Sequence, residues 1–370
     1  MRRVAVTGYG VVTANARNAS EFEAALRSGK SGLSLVEPAG SLGPVRIAGQ
    51  IKNLDVDNLL VGPDYLPERF PAANLKKLLR NAPLGLKLSL LTVLEAHRSA
   101  KISGSGYLES EKGLIIGGSN LHQNLIYQDA QKFLKTPEYL NPLHSLVFFD
   151  THQIGLISEV LDIKGLGFTV GGASASGNMC VLQAFRAVRH GDVPVCYAVG
   201  AMADFSPVEF QGFATLGALY TGESENDPAH ASRPFDEKHC GFVFGQGSAC
   251  LVLEDYERAE KRGAPIHAEI LAAEMALDAT HLTDPSVEGE TRVMKTVLAK
   301  AGIRAADVNY LNAHGTASPL GDKTELAAID AVFGSENPGL LVNATKSLTG
   351  HCLTSAGTVE LVATLLQMKG

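Results

Sequence analysis

The sequence predicts an α/β fold: two related layered halves packed as one body. Three observations predict this layered plan. Short apolar runs ending in glycine recur, as in Val4-Ala5-Val6-Thr7-Gly8 and Val195-Cys196-Tyr197-Ala198-Val199-Gly200. Stretches with helical spacing of apolar residues lie between them. The same alternation of strand and helix then repeats in the C-terminal third. Continuous apolar runs of this length mark strands covered on both faces.

In chain order, residues 4–8, 113–118, 167–170, 195–200 and 249–253 read as strands, with helices at 21–26, 84–99 and 179–189. The third helix carries Val181, Leu182, Phe185 and Val188 on one face and stops at His190-Gly191. In the tail, 267–271, 308–312 and 340–343 read as strands. Helices are expected at 291–301, closed by Gly302, at 323–333 and at 358–368. The charged stretch 257–265 is the best seam. It gives an N-terminal unit of 1–256 and a C-terminal unit of 257–370.

Composition narrows the function classes. The 370 residues suffice for two to three domain-sized units and a large core. Hydrophobic residues make up 45% and charged residues 19%, which excludes a disordered chain. A net charge of −7 offers nucleic acid no global attraction. Five cysteines, an odd number without a C-x-x-C, indicate neither a disulfide frame nor a zinc or other metal site. Gly8, Tyr9 and Gly10 cut the first apolar run too early for a signal peptide. No apolar stretch approaches the ~18 residues of a membrane span, so a cytoplasmic protein is expected.

Chemistry concentrates in three segments. Gly171-Gly172-Ala173-Ser174-Ala175-Ser176-Gly177 joins a strand to a helix, where small residues allow close approach and free N–H groups favour developing negative charge. His314-Gly315-Thr316-Ala317-Ser318-Pro319-Leu320-Gly321-Asp322 follows one strand end, and Lys346-Ser347-Leu348-Thr349-Gly350-His351 follows another. Such strand ends are where open α/β folds place their sites. A hydrolase triad of Ser174, Asp322 and His351 fails on the elbow, because Ser176 stands where G-x-S-x-G needs glycine. Gly8-Tyr9-Gly10 begins a dinucleotide fingerprint that Thr13 breaks.

These motifs make the chain resemble a β-ketoacyl synthase of the thiolase fold over essentially its whole length. The family's His-Gly-Thr-x-Thr-x-x-x-Asp run appears as His314 to Asp322, with Glu325 three residues on, and its Asn-Ser-x-Lys-x-x-x-Gly-His run as Asn343 to His351. Arg233-Pro234-Phe235-Asp236 with Gly241-Phe242-Val243 matches as well. The resemblance implies that His314, His351 and Lys346 are catalytic, with Thr316, Ser318, Asp322, Glu325 and Asn343 supporting the substrate site.

The departures bear on the reaction. Gly172-Ala173-Ser174 stands where the family has Thr-Ala-Cys. Cys180 cannot substitute, lying about 240° around the helix. A helix N-terminus can ionise a thiol of reference pKa ~8.5, but not an alcohol, so Ser174 would need a dedicated base to accept an acyl group. Decarboxylation needs no nucleophile. What remains resembles the serine-variant ketosynthases of polyketide β-branching cassettes, which also contain a synthase of the hydroxymethylglutaryl type. Those variants convert malonyl on an acyl carrier protein to acetyl.

The alternatives are a non-catalytic partner subunit of the chain-length-factor type and a condensing enzyme using Ser174 slowly. An engineered cysteine-to-serine trap is a further one, and Gly172 argues against it. The resemblance implies an acyl carrier protein partner, a homodimer, no nucleic acid or membrane partner, and no metal or cofactor of its own. The phosphopantetheine arm belongs to the carrier. Lys76, Lys77, Arg80 and Lys87 form the densest basic cluster for docking that acidic partner. Gln246 replaces a family glutamate, and Phe205, Phe210 and Phe213 fall where the family lines its interface and acyl channel. Ketosynthases continue past the last helix with closing strands, so the C-terminal unit ending at Gly370 is expected to be incomplete.

Overall fold

The computed structural model describes residues 1–60, 70–80, 82–220, 222, 226–281 and 283–369; Gly370 lies outside them. Eight strands frame the site: β1 (Val4–Thr13), β2 (Lys112–Gly117), β3 (Gly167–Val170), β4 (Val195–Gly200), β5 (Gly247–Asp255), β6 (Ala268–Ile270), β7 (Tyr310–Asn312) and β8 (Leu341–Asn343). The first six form one mixed sheet in the order β3-β2-β4-β5-β1-β6. Strands β2, β3 and β4 run parallel, whereas β5 is antiparallel to both β4 and β1. Strands β7 and β8 pair parallel in a separate two-stranded sheet.

Helices α1 (Ala19–Ser28), α2 (Leu84–Ser99), α3 (Ser176–His190) and, later in the chain, α6 (Ala356–Gln367) cover the two faces of the large sheet. By contrast, α4 (Val287–Ala301) and α5 (Pro319–Ile329) pack with each other and, through Met294, Leu298 and Ile329, with Leu311 of the second sheet. Strand residues alternate between the two sides with period two. Leu114, Ile116, Tyr197 and Val199 pack with Leu86, Leu90, Val93 and Leu94 of α2. Ile115, Cys196, Ala198 and Leu251 pack instead with Val181, Phe185 and Val188 of α3 and Val359, Val362 and Leu366 of α6. A side chain such as Leu90, wholly buried there, contributes about 1.5–3 kcal/mol.

Several boundaries differ from the sequence reading, β1 running on to Thr13 and α4 beginning at Val287 among them. The strand expected at 267–271 joins the N-terminal sheet, with Val4 opposite Ile270 and Val6 opposite Ala268. Helix α5 begins at Pro319, whose fixed φ and missing N–H suit a first helical position, four residues before the expected start.

Candidate active site

The turn after β3 is braced from below. Ala173 takes φ +47°, a left-handed conformation costly for a residue with a Cβ, and a 3-10 turn over Ala173–Ala175 presents Ser174 ahead of α3. The buried Ser176 hydroxyl donates to the Ala173 carbonyl at 2.7 Å and accepts the Gly172 N–H at 2.9 Å. It therefore holds the strained turn closed. Sequence reasoning used Ser176 only to argue against a hydrolase elbow and missed this bracing role. Gly172 is coupled to a neighbour: a Cβ there would fall 2.1 Å from Met179 Sδ. A threonine cannot stand at 172 while Met179 keeps its place.

A second turn of the same shape precedes α6. Leu353 takes φ +48° and Leu353–Ser355 forms a 3-10 turn. The two helices meet at their N-termini because Gly177 and Gly357 leave room: a Cβ on Gly177 would sit 2.8 Å from the Thr358 nitrogen, and one on Gly357 2.6 Å from Asn178 Oδ1. This crossing carries His351 to Ser174. The backbone of His351 is fixed by donation to the Val243 carbonyl at 2.7 Å and by acceptance from Gly245 at 3.0 Å. Its Nδ1 accepts the Leu353 N–H at 3.2 Å. The ring proton is thereby assigned to Nε2, which donates to Ser174 Oγ at 3.0 Å. Burial, then the Lys346 ammonium and His314, push the imidazole well below its ordinary 6.5, so the ring is neutral.

His314 completes the pair, its ring centroid 5.4 Å from that of His351 and its plane at 84°. The buried Lys346 ammonium donates to the His314 carbonyl at 2.6 Å, lies 3.4 Å from His314 Nδ1 and pairs with Glu360. All three ammonium hydrogens are thus directed, and His314 Nδ1 faces a donor. The proton of His314 is assigned to Nε2 as well. His314 opens onto solvent on its cleft side, yet the protein packed around it and Lys346 hold its imidazole down at about 3. Burial pushes the Glu360 carboxyl up, and Lys346 opposes that rise. Glu360 was missed from the sequence, although it is the one charged residue in the helix 356–367.

Two neutral imidazoles that each present Nε2–H are hydrogen-bond donors, not bases. Among the described residues no group is placed to take a proton from Ser174, whose oxygen is an acceptor for His351. The arrangement suits stabilisation of an oxyanion rather than activation of a nucleophile.

The remaining sequence candidates divide into braces and bystanders. Buried Asp322 accepts the N–H groups of Thr316 and Ala317 at 3.1 Å each with Oδ1, and that of Phe235 at 2.6 Å with Oδ2, which also faces His239 Nδ1 at 3.2 Å. Glu325 accepts from the His314 and Gly315 nitrogens at 2.5 and 2.7 Å. These two carboxylates set the His314 loop. The Thr316 and Ser318 hydroxyls bond to one another at 2.9 Å. Asn343 acts through its carbonyl, which accepts the Ala313 N–H at 2.8 Å, while its side chain lines a surface hollow beside Pro234 and Ser347. Gln246 Oε1 accepts the Ile51 N–H at 2.9 Å, a task a neutral amide performs without the cost of enclosing a carboxylate. Phe205, Phe210, Phe213, Phe242 and Phe244 form an aromatic wall, edge-to-face except for the tilted Phe205–Phe213 pair, that ends on His351, with Phe242 5.4 Å from its ring.

Comparison with known proteins fits this geometry. The β-ketoacyl synthase N-terminal domain family matches residues 1–259 and the β-ketoacyl synthase C-terminal domain family matches residues 267–370. The chain belongs to the β-ketoacyl synthase family, and its fold is the thiolase fold of that family. It is 34% identical over 366 residues to the polyketide biosynthesis malonyl-ACP decarboxylase PksF of Bacillus subtilis (strain 168), spanning 99% of this chain and 84% of that protein. It is also 33% identical over 373 residues to a 3-oxoacyl-[acyl-carrier-protein] synthase 2 of Coxiella burnetii (strain RSA 493 / Nine Mile phase I), covering 100% and 86%. Among solved structures it is similar to a type II polyketide synthase ketosynthase in complex with its acyl carrier protein, at TM-score 0.83 and 25% identity, covering 100% of this chain and 86% of that one. Identity alone barely separates a decarboxylase from a condensing enzyme; the residue at position 174 has to decide.

Proposed function

We propose that the chain decarboxylates malonyl carried as a thioester on an acyl carrier protein, giving the acetyl carrier for β-branching in polyketide biosynthesis. One observation carries this reading. A serine hydroxyl without a base occupies the nucleophile seat, while both imidazoles beside it remain neutral donors. The thioester oxygen sits between the two Nε2–H groups. As the bond from Cα to the carboxylate breaks and CO2 leaves, charge gathers on that oxygen and both donors meet it. Each such donor is worth about 2.7–4 kcal/mol in a closed site. Burial first and Lys346 second keep the rings unprotonated, and Lys346 adds a positive field.

The carrier brings the phosphopantetheine arm, so the proposed chemistry requires no resident cofactor. Its acidic surface would meet Lys76, Lys77 and Arg80, which are exposed on and just after the helix Ala72–Leu79. Lys87 is already engaged, 2.9 Å from Asp57. A homodimer would form along β3, an outer strand of the sheet, where Phe168 is 42% exposed. Five free cysteines suit a cytoplasmic setting, and no helix among the described residues is long and apolar enough to cross a membrane.

Intact-mass spectrometry of malonyl-loaded carrier incubated with the protein tests the reading. Loss of CO2, abolished by His314→Ala and without acyl mass on the enzyme, is the expected result. An unchanged malonyl carrier would favour a non-catalytic partner subunit.

A further inference from the structure

We infer that Ser174 is the proton donor that turns the enolate into a methyl group, a role that rests on the decarboxylase reading above. Loss of CO2 leaves an electron pair shared between the enolate oxygen and Cα. The acetyl product requires a proton on Cα, and the two histidines, holding their Nε2–H groups toward the oxygen, are aimed at the wrong atom.

The hydrogen-bond geometry leaves Ser174 free for the task. Its oxygen accepts from His351 Nε2 at 3.0 Å, and the Leu353 N–H on Nδ1 fixes the direction of that bond. A serine hydroxyl has one hydrogen of its own. That hydrogen is not used toward His351, and the half-buried side chain sits in the same cleft as His314. A thioester oxygen taking the Nε2–H of His351 therefore brings its α-carbon beside Oγ.

The proton accounting closes. The C–C bond to the carboxylate breaks and CO2 departs. The enolate Cα takes the Ser174 proton, its C=C pair forming the new C–H bond while the carbonyl re-forms. Ser174 is left as an alkoxide, which takes a proton from a cleft water and releases hydroxide. An alcohol is a far stronger acid than the α-carbon of a thioester, so the transfer runs downhill. His351 serves both anions in turn: its Nε2–H follows the charge from the enolate oxygen to Oγ, and the free N–H groups at the start of α3 add to the stabilisation. This explains a hydroxyl, rather than a bare methyl, in a seat that no longer needs a nucleophile.

The test turns over malonyl-pantetheine thioester in equal parts H2O and D2O with wild type, Ser174→Ala, Ser174→Gly and Ser174→Thr. Rates and the deuterium content of the acetyl methyl are read by mass spectrometry. The two hydroxyl-free variants should lose about 10²-fold in kcat with little change in KM, and their hydrogen-to-deuterium ratio should move away from that of wild type. Ser174→Thr should recover both. The proposal is overturned if the hydroxyl-free variants keep the isotope ratio, whether or not kcat falls, because a hydroxyl that only partners His351 would leave the proton source unchanged. Absence of CO2 release by wild type sinks the decarboxylase reading itself, a distinct result that removes the relay with it. Two hydroxyl-free variants guard against one failing to fold.

Discussion

The ammonium of Lys346 lies 2.6 Å from the carbonyl oxygen of His314 and 3.4 Å from its Nδ1. One buried cation thus fixes both the main chain and the ring of a catalytic candidate, and its own charge is answered by Glu360 on α6.

Removing that cation should be costly in two separable ways. Lys346→Met leaves Glu360 enclosed without a partner, and breaking a buried pair costs about 3–5 kcal/mol. Urea unfolding should show a loss of that size. The double variant Lys346→Met with Glu360→Leu should regain most of the stability and none of the decarboxylation. Recovery of activity in the double variant would show that Lys346 acts only as a structural counter-ion.

The pH profile of turnover should show no step near 6.5. His314 is held down at about 3 and His351 well below its ordinary value, so both rings stay neutral through the range in which free histidine titrates. An acid limb with a midpoint near 6.5 in kcat for a small malonyl thioester would contradict the neutral-donor assignment.

Stability should depend on pH in the same range, with His122 contributing alongside the site histidines. His122 is fully buried, and burial lowers its imidazole to about 4. In the unfolded chain it binds a proton below 6.5, and in the folded chain only near 4. The unfolded state therefore holds more protons in that window. Stability is complete above 6.5 and falls as the pH drops toward 4, by roughly 2 kcal/mol for one ring between pH 6.5 and 5. His122→Leu should flatten that slope in urea midpoints measured from pH 7 to 5.

Gly172→Thr should destabilise the protein by about 1–3 kcal/mol through overpacking against Met179. Met179→Ala should rescue it. Differential scanning calorimetry of the four proteins closes the cycle, and additive losses would mean the two positions are uncoupled.

Charge reversal at Lys76 and Lys77 should raise KM for carrier-bound malonyl while sparing malonyl-pantetheine. Phe168→Asp, on the outer edge strand, should shift the mass measured by light scattering from dimer to monomer. Equal KM effects on both substrates would remove the first surface from docking, and an unchanged mass would remove the second from self-association.

Much of this was legible from residue patterns because buried strands and amphipathic helices obey local rules. The runs at 167–170 and 195–200 and the helix at 84–99 coincide with β3, β4 and α2. What escaped depended on neighbours distant in sequence. Gly8 and Gly10 read as strand breakers, yet β1 passes through them to Thr13; they are glycine because α2 lies against them, a Cβ at Gly10 meeting the Thr92 carbonyl at 2.2 Å. The crossing of β6 into the first sheet is set by a partner strand about 260 residues away. Histidines, lysine and serine announced the site through their motifs. Glu360, Ser176 and Gln246 did not, because each acts through one specific contact that only the folded chain creates.

The paired turns at Ala173 and Leu353 carry a consequence for descent. Two strained turns of matching φ, each leading through a 3-10 segment into a helix that meets the other at a glycine, are what a duplicated unit leaves behind. The counterpart of Ser174 in the second copy is Thr354, whose hydroxyl is spent on the Ala201 carbonyl at 2.7 Å. Duplication thus yielded two seats and a division of labour. One copy keeps a hydroxyl open to the cleft, while the other has closed its own and contributes the histidine just upstream, so neither copy retains the chemistry alone.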